Sequence, residues 1–250
     1  MELYGLIGSK LTHSYSKKYF TAKFAAEGIK AAYELFPLDQ IDDLPKLISD
    51  NPRLKGLNVT IPYKQSVFRY LDKVSRTAML IGAVNTIRIE QKQGKTILTG
   101  YNTDAIGFEM TLSALINNCR GRKVLLLGNG GSAKAVKYVL RKKGLVFRAV
   151  SRKCLKADQL TYAMITPFIM EKYKIIINTT PVGMFPDVAD APEIPYDLIT
   201  PQHLLIDLIY NPEETQFLRL GREKGAVTAN GMTMFIQQAE AAWRIWNERM

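Results

Sequence analysis

A chain of 250 residues, 47% hydrophobic and 23% charged, holds enough apolar material for one large or two modest packed domains, which excludes a disordered chain. No stretch approaches the roughly 18 apolar residues of a membrane span. The N-terminal run lacks a basic lead and is broken early by Gly5 and Gly8, so it reads as a first strand rather than a signal peptide. The formal charge of +11 admits nucleic acid, small anions or a merely basic surface. The cations are scattered, with short clusters at 120–123 and 141–143, and no zinc-finger, RNP-like or helix-turn-helix pattern accompanies them; no nucleic-acid partner is expected. Two cysteines, Cys119 and Cys154, stand far apart and in no ligand spacing, and the two histidines, His13 and His203, are too few for a His-rich site. Neither a metal nor a disulfide framework is expected, and the expected setting is cytoplasmic.

In chain order, residues 3–8 read as a strand, followed by a helix over 17–27 with Tyr19, Phe20 and Phe24 on one side and Gly28 as its stop. A second strand is expected at 32–37, a helix at 41–49, and a strand at 56–61 ended by Pro62. Residues 83–90 and 95–100 read as a hairpin around Gln93-Gly94. This alternation predicts a mostly parallel α/β domain. Beyond a boundary near 103–106, residues 123–127 form a buried strand that runs straight into a glycine-rich turn, and a helix over 132–143 follows with Gly144 as its stop. Further strands are expected at 146–150, 175–178 and 204–208, with only a stunted helix between 152 and 173, where Pro167 intervenes. A long final helix over 233–248 carries an apolar stripe of Phe235, Ile236, Ala239, Ala242, Trp243 and Trp246, which reads as core packing.

The turn Gly128-Asn129-Gly130-Gly131-Ser132-Ala133 lies between a strand and a helix. Unpaired N–H groups at a helix start point outward, the helix dipole adds positive charge there, and glycines let a pyrophosphate approach closely. The run is not a strict G-x-G-x-x-G, and a purely structural β–α turn is the alternative. The next strand ends at Ser151-Arg152-Lys153. An NAD enzyme places an acid there for the ribose 2′-hydroxyl, whereas here two cations stand where a 2′-phosphate would lie, which favours NADP.

Other polar residues admit two readings each. Lys64, just after Pro62 at a strand end, is a surface lysine or an acid catalyst; an ammonium group can stabilise and protonate an oxygen that gains negative charge. Asp104 is a helix N-cap, a partner for Lys64, or both. Ser14 and Ser16 are simple caps or carboxylate ligands. Tyr210, before Asn211-Pro212, is turn packing or a ligand contact. Gln238 sits on an otherwise apolar helix and so needs a partner, while His13 reads as structural.

Taken together, several stretches form one ordered pattern: His13-Ser14-Tyr15-Ser16, Asn58-Val59-Thr60-Ile61-Pro62-Tyr63-Lys64, Gly82-Ala83-Val84-Asn85-Thr86 and Gly100-Tyr101-Asn102-Thr103-Asp104-Ala105-Ile106-Gly107. After the glycine turn come Asn178-Thr179-Thr180-Pro181-Val182-Gly183-Met184, Asp207-Leu208-Ile209-Tyr210-Asn211-Pro212 and the run from Gly231 to Ala239. In this order and spacing, over essentially the whole chain, the sequence resembles the shikimate dehydrogenase family. The resemblance implies an N-terminal α/β substrate domain over 1–103, with the last helix, 233–250, packing back on it. It further implies a C-terminal Rossmann-like NADP-binding domain over 104–232, and a cleft between the two.

The implied activity is the NADP-dependent, reversible reduction of 3-dehydroshikimate to shikimate, a step of chorismate and aromatic amino-acid biosynthesis. The implied roles are Ser14 and Ser16 on the substrate carboxylate and Thr60, Asn85, Asp104, Tyr210 and Gln238 around the ring. Lys64 would be the acid/base, with Asp104 beside it. Gly128, Asn129, Gly130, Gly131 and Ser132, with Ser151, Arg152, Lys153 and the stretch on to Lys156, would hold the cofactor. Thr179, Leu208 and Gly231 would also face it. A quinate/shikimate dehydrogenase of relaxed specificity and a non-catalytic ligand sensor are the rival readings; the pair Ser14 and Ser16 favours shikimate, and the pair Lys64 and Asp104 favours turnover. The working unit is expected to be a monomer or homodimer with a small-molecule substrate and no membrane partner.

The chain departs from the family pattern at four places. Lys17 replaces a proline, which removes a rigid helix start and adds charge near the expected carboxylate site. Asn129 stands where alanine is typical, Arg76 where an acid is common, and the stretch after Lys156 is short. The cofactor assignment rests most directly on Arg152. In Arg152→Asp, the affinity for NADPH, measured by titration of reduced-nicotinamide fluorescence, is expected to fall about tenfold or more through loss of a charge-assisted phosphate pair; an unchanged affinity would overturn the assignment.

Overall fold

The computed structural model describes residues 1–9, 11, 14–116, 123–153 and 159–248. His13, Cys119, Cys154, the basic run 120–122 and the 154–156 part of the expected cofactor stretch lie outside the described residues. The chain divides into two units, Met1–Thr103 with Gln238–Met250, and Asp104–Gln237.

In the first unit the elements are β1 (Glu2–Gly8), α1 (Tyr15–Ala26), β2 (Ala31–Pro37), α2 (Leu44–Asp50), β3 (Leu54–Val59), β4 (Lys73–Val74), α3 (Arg76–Ile81), β5 (Thr86–Lys92) and β6 (Lys95–Tyr101). They build a six-stranded sheet in the order β2-β1-β3-β5-β6-β4. β1 pairs in parallel with β2 and β3, whereas β5 runs antiparallel to both β3 and β6, so the sheet is mixed. Alternation along β1 sends Tyr4 and Leu6 to one face and Ile7 to the other, and both faces are covered. On one side Leu44, Leu57, Val59, Val67, Ile87 and their neighbours form a core. On the other, Tyr4, Phe20, Phe24 and Tyr33 pack with Trp246 from the last helix, α8 (Met232–Asn247). Ala239, Ala242, Trp243 and Trp246 of the α8 stripe thus pack as its spacing implies, whereas Ile236 in the same stripe is exposed, and the Trp246 indole Nε1 donates to the Ile87 carbonyl at 3.0 Å.

The second unit runs α4 (Asp104–Leu115), β7 (Val124–Leu127), α5 (Gly131–Lys142), β8 (Phe147–Val150), β9 (Gln159–Leu160), α6 (Pro167–Lys172), β10 (Ile175–Asn178), β11 (Leu204–Asp207), α7 (Gln216–Glu223) and β12 (Val227–Ala229). All six strands are parallel, in the order β12-β11-β10-β7-β8-β9. β7, β10 and β11 are buried on both faces, and their sequences are unbroken apolar runs rather than alternating ones. α5 lays Ala133, Val136, Val139 and Leu140 onto the sheet, at the helical spacing of its apolar positions.

Element boundaries differ from the sequence expectation where polar residues intervene. Helix α1 begins two residues early, at Tyr15, directly after the extended Ser14. β3 ends at Val59 and β5 begins at Thr86, so Thr60 and residues 83–85 are loop rather than strand. The two-residue strands β4 and β9, and the helices α3 and α7, were not expected at all. Trp246 carries much of the first core: Trp246→Ala is expected to cost about 3–5 kcal/mol. Trp246→Phe, which keeps most of the ring area but loses the bond to Ile87, should cost about 1–3 kcal/mol; urea unfolding of both variants measures the pair.

Candidate functional site

The turn after β3 is pinned by its backbone. Thr60 N–H donates to Ile7 at 2.9 Å, Tyr63 N–H to Thr60 at 2.9 Å, and Val84 N–H to the Lys64 carbonyl at 2.8 Å. The buried Tyr63 hydroxyl donates to the Leu38 carbonyl at 2.6 Å. Lys64 is therefore half-buried on a rigid turn beside residues 83–85, not a mobile surface lysine.

Asn85 lies at the centre of a buried polar network. Its Oδ1 accepts from Thr103 N–H at 2.7 Å and its Nδ2 donates to Thr103 Oγ1 at 3.0 Å. Thr86 Oγ1 lies 3.1 Å from Thr103 Oγ1 and receives Asn58 Nδ2 at 3.3 Å, while Tyr33 donates to Asn58 Oδ1 at 2.8 Å. Thr103 Oγ1 also reaches Gln238 Oε1 at 3.4 Å, which is the partner that glutamine requires. The first unit thus joins Asn85 and Gln238 through Thr103. Tyr33, Asn58, Thr86 and Thr103 were not singled out from the sequence, since nothing local marks a threonine as buried.

At the start of α1, Ser14 is extended and in the cap position but makes no side-chain cap bond, and the first turn holds no acid. The simple-cap reading of Ser14 is therefore not what is observed, and the helix start keeps its positive end for an anion. Ser16 follows in the first turn, half-buried. The added charge of Lys17 is taken up by Glu34, 2.6 Å away. Arg76 is exposed at the first turn of α3, behind the Ser75 cap.

In the second unit, Gly128 leaves β7 with φ of 104°, and a Cβ there would lie 2.7 Å from Thr179 Oγ1. Only glycine permits both this backbone and this approach. Thr179 in turn donates to the Leu127 carbonyl from N–H at 2.9 Å and from Oγ1 at 2.6 Å. α5 starts on Gly130, which has no side chain to cap the helix, and its first turn, with Ser132, carries no acid. The turn is thus an open cradle of N–H groups at a helix start, suited to a phosphate. Lys137, unremarked in the sequence, donates to Asn129 Oδ1 at 2.5 Å and places an ammonium at this turn. After β8, Ser151 Oγ donates to the Lys153 carbonyl at 2.7 Å, closing a turn on which Arg152 and Lys153 are exposed. Gly231 abuts the Leu208 carbonyl too closely to admit any side chain. Tyr210 packs on Phe235 with ring centroids 4.8 Å apart. Asp104 is buried as the first residue of α4, at the helix's positive end.

A second buried network closes the strand ends of this unit. Asp207 accepts from Asn178 Nδ2 at 3.1 Å, Ile209 N–H at 3.0 Å and Thr215 Oγ1 at 2.7 Å. Burial raises its pKa from 3.8 to about 6 against these three donors. Among the described residues, no group of three or more His, Cys, Asp or Glu could hold a metal ion, and no helix is long and apolar enough to cross a membrane.

A parallel sheet feeding a glycine turn into a helix start, preceded by a mixed α/β unit with its own polar network, defines a two-unit protein with a Rossmann-like second half. Residues 6–87 match the family model described as the shikimate dehydrogenase substrate binding domain. The shikimate dehydrogenase (NADP(+)) of Clostridium beijerinckii is 43% identical over 259 residues, covering 99% of this chain and 93% of that protein. The crystal structure of shikimate dehydrogenase from Aquifex aeolicus matches with a TM-score of 0.86 at 36% identity, over 98% of this chain and 92% of that one. Quinate dehydrogenase from Corynebacterium glutamicum, in complex with NAD, matches with a TM-score of 0.86 at 29% identity, over 98% and 93%. The chain belongs to the shikimate dehydrogenase family.

Asp207 makes stability depend on pH. A carboxyl whose folded pKa lies above its unfolded value favours the folded state below about pH 4, and that contribution is lost as pH rises through about 6. Raising the pH from about 4.5 to about 7.5 should therefore cost the wild type about 2 kcal/mol that Asp207→Asn does not lose. Urea unfolding of both proteins at the two pH values checks this; a difference between them that is the same at both would show that Asp207 does not titrate in the window.

Proposed function

We propose that this chain catalyses the NADP-dependent, reversible reduction of 3-dehydroshikimate to shikimate. The observation that carries the reading is the tie between Lys64 and the Asn85 network, which sets an ammonium-bearing turn beside amides suited to a polyhydroxylated ring. The cofactor fits the residues present: a Cβ would fill the cradle at Gly128, and the start of α5 has neither a side-chain cap nor an acid. Arg152 and Lys153 take the 2′-phosphate, and Gly128, Asn129, Gly130, Gly131 and Ser132 take the pyrophosphate. Ser151, Thr179, Leu208 and Gly231 complete the cofactor-binding set. When bound, NADPH supplies the hydride.

On the substrate side, Ser14 and Ser16 hold the carboxylate at the start of α1, and Thr60, Asn85, Asp104, Tyr210 and Gln238 bind ring oxygens. Lys64 Nζ gives its proton to the carbonyl oxygen as charge builds there and takes it back in the reverse direction. Asp104 is the second catalytic group. The same reading assigns the substrate domain to 1–103 with the last helix, and the NADP domain to 104–232. It takes a small anionic substrate, no nucleic-acid or membrane partner, a cytoplasmic setting, and a monomer or homodimer.

The quinate dehydrogenase among the relatives makes quinate, with one more ring hydroxyl, the competing substrate. Absorbance at the reduced-nicotinamide band, read with shikimate or quinate and with NADP or NAD, tests the whole assignment. Turnover is expected to be fastest with shikimate and NADP; a preference for quinate or for NAD would overturn the corresponding half. Lys64→Ala is expected to lower kcat about 100-fold or more, and undiminished turnover would remove the lysine from the mechanism.

A further inference from the structure

We propose that Thr103, which no likeness assigns a role, is the positioning residue of the ring-binding amides: it fixes the direction in which Asn85 and Gln238 present themselves to substrate. This rests on the shikimate reading above and extends it to a residue outside the binding set of that reading.

Thr103 is fully buried and leads from β6 into Asp104. Its backbone N–H lies 2.7 Å from one end of the Asn85 amide. A backbone N–H can only donate, so that end must be the oxygen, and the amide cannot flip. The other end, Nδ2, then donates to the hydroxyl of the same threonine at 3.0 Å. One residue therefore grips Asn85 at both ends.

The same reasoning orients the rest of the chain of bonds. Asn58 faces the backbone carbonyl of Asn85 at 3.3 Å, and a carbonyl can only accept, so Nδ2 must point there. Its Oδ1 consequently faces Tyr33, whose hydroxyl donates at 2.8 Å. Asn58 Nδ2 also donates to Thr86 Oγ1 at 3.3 Å, and Thr86 Oγ1 lies 3.1 Å from Thr103 Oγ1. A continuous run of bonds thus links Tyr33 through Asn58 and Thr86 to Thr103, and Thr86 Oγ1 also reaches Asn85 Oδ1 at 3.2 Å. The Thr103 hydroxyl, with one proton to give, lies 3.2 Å from Asn85 Oδ1 and 3.4 Å from Gln238 Oε1, and so stands between the two amides. With its carbonyl turned to Thr103, Gln238 meets a ligand through Nε2, as a donor to a ring oxygen. In a low-dielectric interior such a run holds its members in place because each lost bond leaves a buried polar group unpaired.

Thr103→Val keeps the volume and the backbone N–H but removes the hydroxyl, and Thr103→Ser restores it. Steady-state kinetics with shikimate and NADP should show KM for shikimate rising about tenfold in Thr103→Val, from buried amide groups left without their partner, with KM for NADP within about twofold of wild type; Thr103→Ser should recover most of the loss. In a Gln238→Ala background the effect of Thr103→Val should shrink, because part of it acts through Gln238. If Thr103→Val folds poorly, Thr86→Val interrupts the run one step earlier and should raise the same KM by a smaller factor. An unchanged KM for shikimate in an active, folded variant overturns the proposal. So does an equal rise in both KM values, which marks general loosening, or a Thr103→Ser as impaired as Thr103→Val. Calorimetry of shikimate with wild type separates the two levels: no binding and no turnover overturns the functional reading and this inference together, whereas an active wild type beside an indifferent Thr103→Val overturns the inference alone.

Discussion

Asn85 is bonded to four residues of the first unit at once, in two separate stretches, and the geometry of its proposed substrate wall follows from that. Its N–H donates to Tyr101 at 3.1 Å, its carbonyl accepts from Val59 at 2.8 Å and from Asn58 Nδ2, and its side chain is held by Thr103. Val84, beside it, secures the carbonyl of Lys64. The ends of β3 and β6 and the lysine turn therefore share one joint. Shifting any of them leaves buried donors or acceptors unpaired, at about 1–3 kcal/mol for each group. A lysine on a loop would ordinarily sweep a wide volume; here its backbone end is anchored at the joint, so only side-chain torsions remain to be ordered when substrate binds.

The second unit solves the same problem with different residues. β10 and β11 end in register on Asn178 and Asp207, and the two side chains bond across the strands at 3.1 Å. Asn178 Oδ1 then accepts from the N–H and hydroxyl of Thr180 at 3.0 and 2.6 Å, fixing the loop that carries Thr179. Asp207 accepts from Ile209, fixing the loop that carries Leu208 and Tyr210, and from Thr215, which caps α7. In open parallel sheets the carboxyl ends of the strands are where ligands bind. Apolar strands assemble the sheet, and a polar residue at the last position of β10 and of β11 gives each of their loops a defined start.

What could be read in advance depended on how locally each feature is encoded. The Gln93-Gly94 hairpin was legible because both residues adopt positive φ, 51° and 74°, a turn with a short-range sequence signature. The glycine turn before α5 and the apolar runs of β7, β10 and β11 were legible for the same reason. The helix α3 carries a readable signature too, Ser75 capping Ala78 N–H at 3.2 Å and Gly82 at φ of 68°, but at six residues it lacks the periodicity that reveals longer helices. The two-residue strands β4 and β9 exist only through their pairing partners. In the site, Lys64, Asn85 and Gln238 stood out by type and by likeness. Thr86, Thr103 and Asp207 did not, because a polar residue is marked as buried only by strands distant in sequence.

Burial of polar groups here serves position more than stability. Ion pairs such as Lys17–Glu34, Arg69–Asp42 and Arg222–Glu214 are exposed, and pairs of that kind are worth about 1 kcal/mol or less. Holding the fold together falls to the two apolar faces of the first sheet and the buried parallel strands of the second. Against that background Asp207 is a liability, since a buried carboxylate is disfavoured in its charged form by desolvation. An apolar residue of similar size would remove that penalty, yet it would release Ile209, Thr215 and Asn178 together. Only a carboxylate can accept from a backbone N–H, a hydroxyl and an amide at once without donating to any of them. The penalty at neutral pH is the physical consequence of giving three loop segments a common acceptor, and a fold with so extensive an apolar core has the margin to carry it.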